Sequence, residues 1–241
     1  RRTPKQWNEK MLSDEHLKVL YYEKDSDKVF PNTDIKGGVA ITYRDVRQSY
    51  GAIGTFTIFP ELNMILKKVK YKLSKSRSLA DIMFVASKFN TDTLFRDFPI
   101  YSGHERRMSS NVLTFDCFNE SQQTEEDVSV YGIVKGKRQH RYIKSCYVDL
   151  TDANIDRYKL ILPKADGNGT FGDTLTNPEI LPKHSGFTHT FLGIGSFDTE
   201  IEAKAEMKYV KTKFARALLG VLKVTQDNNA DKWKYVPLQD F

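Results

Sequence analysis

Cysteine is scarce in this chain of 241 residues: there are 2, Cys117 and Cys146, in no CxxC pair and with no ligand-spaced histidines nearby. That spacing excludes a zinc-ribbon or finger pattern, and buried free thiols are expected at both positions. No run of about 18 apolar residues is present. The first residues, Arg-Arg-Thr-Pro-Lys-Gln-Trp, carry no apolar signal core behind their charges. A soluble, cytoplasmic protein is expected. Glycine (14) and proline (8) are too few for a fibrous or disordered chain, while 39% hydrophobic and 12% aromatic residues suffice for a core. The chain starts at Arg1 rather than Met, so it is expected to be a fragment of a longer protein.

Charge is present but unevenly distributed. There are 37 Lys and Arg against 31 Asp and Glu, a net charge of +6. Residues 62–80 hold Lys67, Lys68, Lys70, Lys72, Lys75 and Arg77 and no acid. Residues 128–148 hold Lys135, Lys137, Arg138, Arg141 and Lys144, with His140 among them and again no acid. Between these runs lie Asp116, Glu120, Glu125, Glu126 and Asp127. Such segregation fits either a positive face for a polyanion or two solvated faces that keep the chain in solution.

The periodicity indicates an α+β fold of mixed or antiparallel sheets, with a basic amphipathic helix and a long C-terminal helix. A short helix from Asn8 leads into a strand alternating through Leu17, Val19 and Tyr21. Residues 39–43 read as a buried strand and residues 53–59 as a second one, paired as a hairpin or as neighbours. From Glu61 the period becomes helical through Leu62, Ile65, Leu66, Val69 and Leu73, with most lysines outside that stripe. Residues 90–110 read as a long loop. Two strands, 128–134 and 138–148, form a hairpin around Lys135-Gly136-Lys137, where Gly136 supplies a positive φ. The short strand 159–163 precedes the glycine-rich loop 166–172, which matches neither a phosphate loop nor a dinucleotide fingerprint. A further strand, 187–197, precedes Thr199-x-x-Glu202, a capping box opening a helix whose stripe is Ile201, Ala205, Val210, Phe214, Ala217, Leu218 and Val221. Trp233, Tyr235, Val236 and Leu238 are the anchors of the polar C-terminus. The expected domains are 1–60, a strand-rich lead-in or the end of a catalytic core, and 61–241.

Catalytic patterns are few. The histidines at 16, 104, 140, 184 and 189 lack ligand spacing, and no GxSxG elbow occurs. Asp198 with Glu202-Ala203-Lys204 superficially matches the acid-then-Glu-x-Lys pattern of metal-dependent nucleases, although Glu202 is already accounted for as a helix-capping residue. No catalytic and no metal-binding residue is assigned.

The run from Val29 to Asp45, VFPNTDIKGGVAITYRD, resembles the FPxVDIxGGVxYFxWxRD stretch of adenine-specific DNA methyltransferases of type II restriction-modification systems. The stretch 158–172 and the segment 191–241, with IGSFDTE, AKAEMKYVKTKFARALLGVLKVTQDN and WKYVPLQDF, are similar to the same family; residues 67–118 match nothing. The resemblance implies a bacterial chain lying downstream of a Rossmann-like catalytic domain. That domain would bind S-adenosylmethionine and hold the target adenine with an Asn-Pro-Pro-Tyr motif. Here the nearest string, Asn177-Pro178-Glu179-Ile180, lacks the second proline and the aromatic residue, so no catalytic residue is carried over and no cofactor is expected in this fragment. What is implied is a target-recognition region for double-stranded DNA, inactive alone and partnered by the upstream methyltransferase domain; a fused endonuclease is left open. The candidate DNA-binding residues are Lys135, Lys137, Arg138, His140, Arg141 and Lys144 on the hairpin, with Lys67, Lys68, Lys70, Arg106 and Arg107 as phosphate contacts. The competing readings are a docking module without DNA affinity and a metal-dependent nuclease domain.

Overall fold

The computed structural model describes residues 4–33, 35, 38–152, 154–167, 171, 175, 177–223 and 225–241. It has an α+β architecture in two compact units, Arg1–Lys67 and Lys68–Phe241.

In the first unit, helix α1 (Lys5–Ser13) leads into β1 (Leu17–Glu23), which pairs antiparallel with β2 (Val39–Arg44) in a register running from Leu17 opposite Arg44 to Glu23 opposite Val39. The strand expected at 39–43 is therefore present, but it is exposed along most of its length instead of buried. A two-stranded ribbon has no further strand to enclose it. Residues 53–59 form no strand, contrary to expectation. Gly54 sits at φ 61 and donates its amide to Leu12, while Thr57 and the Asn63 side chain bond each other reciprocally. These local bonds use the groups a ladder would need. Pro60 then occupies the first position of helix α2 (Pro60–Leu73), where its missing N–H costs nothing. Leu62, Leu66 and Val69 are its buried residues, a narrower stripe than expected because Ile65 faces outward.

The second unit continues with β3 (Met83–Phe84), α3 (Thr91–Asp97), β4 (Phe118–Asn119), β5 (Val128–Val134), β6 (Lys137–Ile143), β7 (Tyr158–Pro163), β8 (Glu179–Leu181), β9 (Ser185–Phe187), β10 (Phe191–Phe197), α4 (Glu200–Val210) and α5 (Lys213–Gly220). One sheet has the order β3-β10-β7-β8, all antiparallel. The other has the order β4-β6-β5-β9, with β5 and β9 parallel. The single strand expected at 187–197 is thus two strands serving different sheets, separated at Thr188–Thr190. The loop expected at 90–110 contains α3, whose buried Leu94 anchors a helix too short to show a period.

Strand β5 is buried on both faces. Val128, Val130 and Val134 join Phe89, Leu94, Met108 and Ile143 in one cluster. On the opposite face Tyr131 joins Ile161, Leu181, Phe187 and Phe191 in a second. Gly132 lies between: a Cβ there would come within 2.5 Å of Leu113 and 2.9 Å of Thr188. Helix α4 packs on β7, β8 and β10.

The long C-terminal helix is interrupted at Lys211–Thr212. Thr212 accepts the Ala215 amide at 3.1 Å and begins α5 as a fresh N-cap, which resets the helical phase. Ile201 and Phe214 of the expected stripe point to solvent. The buried positions are Ala203, Glu206 and Val210 on α4 and Ala215, Leu218 and Leu219 on α5. The Thr199–Glu202 capping box is present in both directions. Of the C-terminal anchors, Trp233 and Val236 are fully buried, and the Trp233 indole donates to Asn228 Oδ1 at 3.1 Å. Of the two thiols Cys117 is buried, and burial pushes it up to about 12; Cys146 is exposed, contrary to expectation. Most of the glycine-rich loop 166–172 lies outside the described residues. No described helix is long and apolar enough to cross a membrane.

Candidate nucleic-acid interface

The β5–β6 hairpin closes in a two-residue turn. Val134 pairs with Lys137, and the intervening Lys135 and Gly136 have φ 50 and 75, so both take the left-handed conformation of a type I′ turn. A turn of that hand matches strand twist and projects its residues beyond the sheet. Lys135 and Lys137 are exposed there, and among the described residues no carboxylate pairs with them.

The register sorts the rest of β6. Arg138, His140 and Tyr142 stand opposite Ile133, Tyr131 and Ser129 on one face; Gln139 and Arg141 stand opposite Gly132 and Val130 on the other. Both arginines are engaged within the fold. Arg138 donates to Glu179 Oε1 at 2.8 Å and lies 5.6 Å from the centroid of the Phe191 ring. Arg141 reaches Glu120 at 2.9 Å with its side chain only 14% exposed. The β4–β6 pairing explains that contact, since Asn119 opposite Tyr142 brings the following Glu120 alongside Arg141. His140 Nδ1 is 2.7 Å from Ser129 Oγ, and its ring lies 4.8 Å from that of Tyr131. Burial, reinforced by the neighbouring Glu179 carboxylate, pushes the Tyr131 phenol up to about 12. Lys144 is exposed but off the ribbon: the strand ends at Ile143 instead of reaching 148, and a 3-10 turn follows at Ser145–Tyr147.

The remaining candidates lie on other elements. Arg106 bonds Asp149 at 2.8 Å, a carboxylate that also accepts from the Thr151 amide and hydroxyl and is held below the usual carboxylate range chiefly by that hydroxyl. Arg107 donates to the Ala86 carbonyl at 3.1 Å. Both arginines thereby tie down the chain around residues 86–107. Lys67 and Lys68 are exposed on α2, and the Lys70 ammonium lies 5.3 Å over the Tyr235 ring.

The residues of the nuclease pattern are likewise occupied locally. Asp198 pairs with Arg157, Lys204 pairs with Glu200 at 2.9 Å, and Glu202 is held below the usual range by the Thr199 hydroxyl and amide. Among the described residues no three His, Cys, Asp or Glu side chains are grouped to hold a metal. Asn177-Pro178-Glu179-Ile180 leads into β8, where Glu179 serves as the partner of Arg138.

Lys159 and Glu206 are among the buried ionisable side chains that the sequence reading missed. Lys159 on β7 is 1% exposed and donates to the Ser185 carbonyl at 2.8 Å, the Pro182 carbonyl at 3.3 Å and Ser185 Oγ at 3.3 Å; burial pushes it down to about 7. Glu206 on α4 is fully buried, among the described residues neither carboxylate oxygen has a hydrogen-bond partner, and burial pushes it up to about 8. The signals were a lysine directly before the run Leu160-Ile161-Leu162 and a glutamate spaced with Ala203 and Val210 on one helix face. No family model matches the chain, and no curated protein matches it.

Proposed function

We propose that this chain recognises double-stranded DNA as the target-recognition part of a type II restriction-modification adenine-N6 methyltransferase. The supporting observation is the pair Lys135 and Lys137, unpaired and exposed at the tip of a ribbon of the width that enters a major groove. In this reading the lysines contact phosphates and set register. Arg138, Arg141, Arg106 and Arg107 hold the scaffold that presents them, since each is already engaged within the fold. Lys67, Lys68, Lys70 and Lys144 supply further phosphate contacts. The methyl donor, S-adenosylmethionine, belongs to the upstream catalytic domain, since no motif for it occurs in this chain.

The docking reading is favoured by a different observation. The first unit exposes Trp7, Leu20, Tyr21, Ile41 and Tyr43, each more than 40% accessible, on a ribbon and helix with little core of their own. In that reading the first unit contacts the methyltransferase domain and the chain has no DNA affinity of its own.

The test is fluorescence anisotropy of a labelled duplex titrated across salt concentrations. Each phosphate contact contributes about 0.9 to the slope of log affinity against log salt, so Lys135→Gln with Lys137→Gln should flatten it by about 1.8. An unchanged slope removes the hairpin from the interface. Absence of binding at low salt leaves the docking role alone.

A further inference from the structure

A cavity of about 480 Å³ opens in the second unit where the hairpin meets the ends of β7 and β10, lined by Ile133, Arg138, Pro163, Lys164, His189 and Phe191 together with Ala165, Thr190 and Asp227. That volume lies in the range of small-molecule sites. Its walls divide chemically. Ile133, Pro163 and Phe191 form an apolar side. Arg138 lies over Phe191 and is pinned by Glu179, so its planar guanidinium is already immobilised. A held guanidinium is a platform on which a heteroaromatic ring stacks at little entropic cost.

The opposite side carries two half-buried donors. Lys164 follows the last residue of β7, and its backbone amide bonds Thr190, while the His189 amide bonds Met108. Both backbones are fixed, yet among the described residues neither the Lys164 ammonium nor the His189 imidazole has a hydrogen-bond or ion-pair partner. Asp227, bridged to Ala165 through the backbone and accepting from Asn229 at 2.9 Å, adds one acceptor at the rim. Stacking surface, apolar wall, two anion-seeking donors and one acceptor suit a flat base, a sugar hydroxyl and a phosphate.

We infer that this cavity binds a nucleoside phosphate, with the phosphate on Lys164 and His189 and the base against Arg138 and the apolar wall. The source is either a free mononucleotide or the terminal nucleotide of a single strand. The site uses neither Lys135 nor Lys137, so it stands or falls separately from the duplex interface proposed above.

Isothermal titration calorimetry of the whole chain with adenosine 5′-monophosphate, inorganic phosphate and a 5′-phosphorylated single-stranded decanucleotide tests it. The mononucleotide should bind more tightly than phosphate alone, and Lys164→Gln should weaken it about tenfold, the worth of one charge-assisted hydrogen bond. Ala165→Trp, at an exposed position on the mouth, should abolish binding by filling the cavity while leaving thermal unfolding near that of the parent. Binding of the decanucleotide alone, lost in both variants, identifies a strand end as the source. Affinity for adenosine monophosphate no greater than for phosphate with no binding of the decanucleotide, or binding indifferent to both substitutions, overturns the inference.

Discussion

Replacing Glu206 by Gln should change how stability depends on pH, and the structure sets both sign and size. The carboxylate sits on α4 against β10, so close that a Cβ on Gly195 would lie 2.9 Å from Oε2; Gly195 itself has φ +68 at the register shift between Ile194 and Phe197. Among the described residues no donor reaches either oxygen. An ionised carboxylate there would be stripped of water without compensation, so the group stays protonated to about pH 8 in the folded state and ionises near the ordinary glutamate value of 4.5 when unfolded. Below the lower value both states are protonated and pH has no effect through this group. Between the two, unfolding releases a proton, and each pH unit removes about 1.4 kcal/mol of stability. Across the window the loss reaches roughly 5 kcal/mol, comparable with the whole stability of a small domain. Urea unfolding of parent and Glu206→Gln at pH 5, 6, 7 and 8 measures it. The amide leaves polar atoms unpartnered, so at pH 5 the variant should be no more stable than the parent, but it should overtake it as pH rises. Other titrating groups are common to both proteins and cancel in the difference. A difference constant from pH 5 to 8 refutes the argument and means that water or a donor reaches the carboxylate.

Lys159 carries the opposite sign: its folded value lies near 7 and its unfolded value near 10.5, so the unfolded chain holds the extra proton between them and stability rises with pH in that window. Lys159→Met should lose that rise and cost about 1–3 kcal/mol at pH 6 by orphaning the Ser185 and Pro182 carbonyls, both measurable by chemical denaturation. Thr199→Ala removes the acceptor for the Glu202 amide and should cost about 1 kcal/mol in the same assay; a cost near zero would mean that α4 is held by its sheet contacts alone. Arg138→Ala should leave the salt slope for duplex DNA unchanged while lowering the unfolding temperature, because its guanidinium is spent on Glu179 and Phe191. A slope flattened as much as by the loss of two lysines would show that the pair opens on binding.

Local chemistry was legible in the sequence. The tip Lys-Gly-Lys between two alternating segments gave the hairpin and its turn, because a positive φ is a demand on one residue and not on the fold. The Thr199–Glu202 box was legible for the same reason. Burial was not. Val39-Ala40-Ile41 has the composition of an inner strand, but the two-stranded sheet around it ends there, and no property of those residues records how many strands a sheet will have. The helix through 201–221 kept its apolar spacing across Thr212, and only the cap formed there shows that the phase restarts. Glu206 broke the pattern from the other side: a glutamate at an inward position reads as surface until its helix is placed on a sheet.

The charge pattern shows how far the sequence could mislead. Acid at 116–127 and base at 135–144 are segregated along the chain, yet folding mixes them. Glu120 meets Arg141 across the β4–β6 register, Glu179 arrives from β8 to meet Arg138, and Asp127 is absorbed by the amides of Gln123 and Thr124. What survives as unpaired positive charge on the hairpin among the described residues is lysine, a hydrated point charge suited to phosphates, while the planar guanidiniums suited to base edges are held in ion pairs with Glu179 and Glu120. A DNA interface built on this ribbon would therefore have strong salt dependence and weak base discrimination from its own tip. Sequence readout must then come from groups not spent on internal pairs, and Gln139, whose amide donates to the Val134 carbonyl at 3.1 Å, is no freer than the arginines beside it.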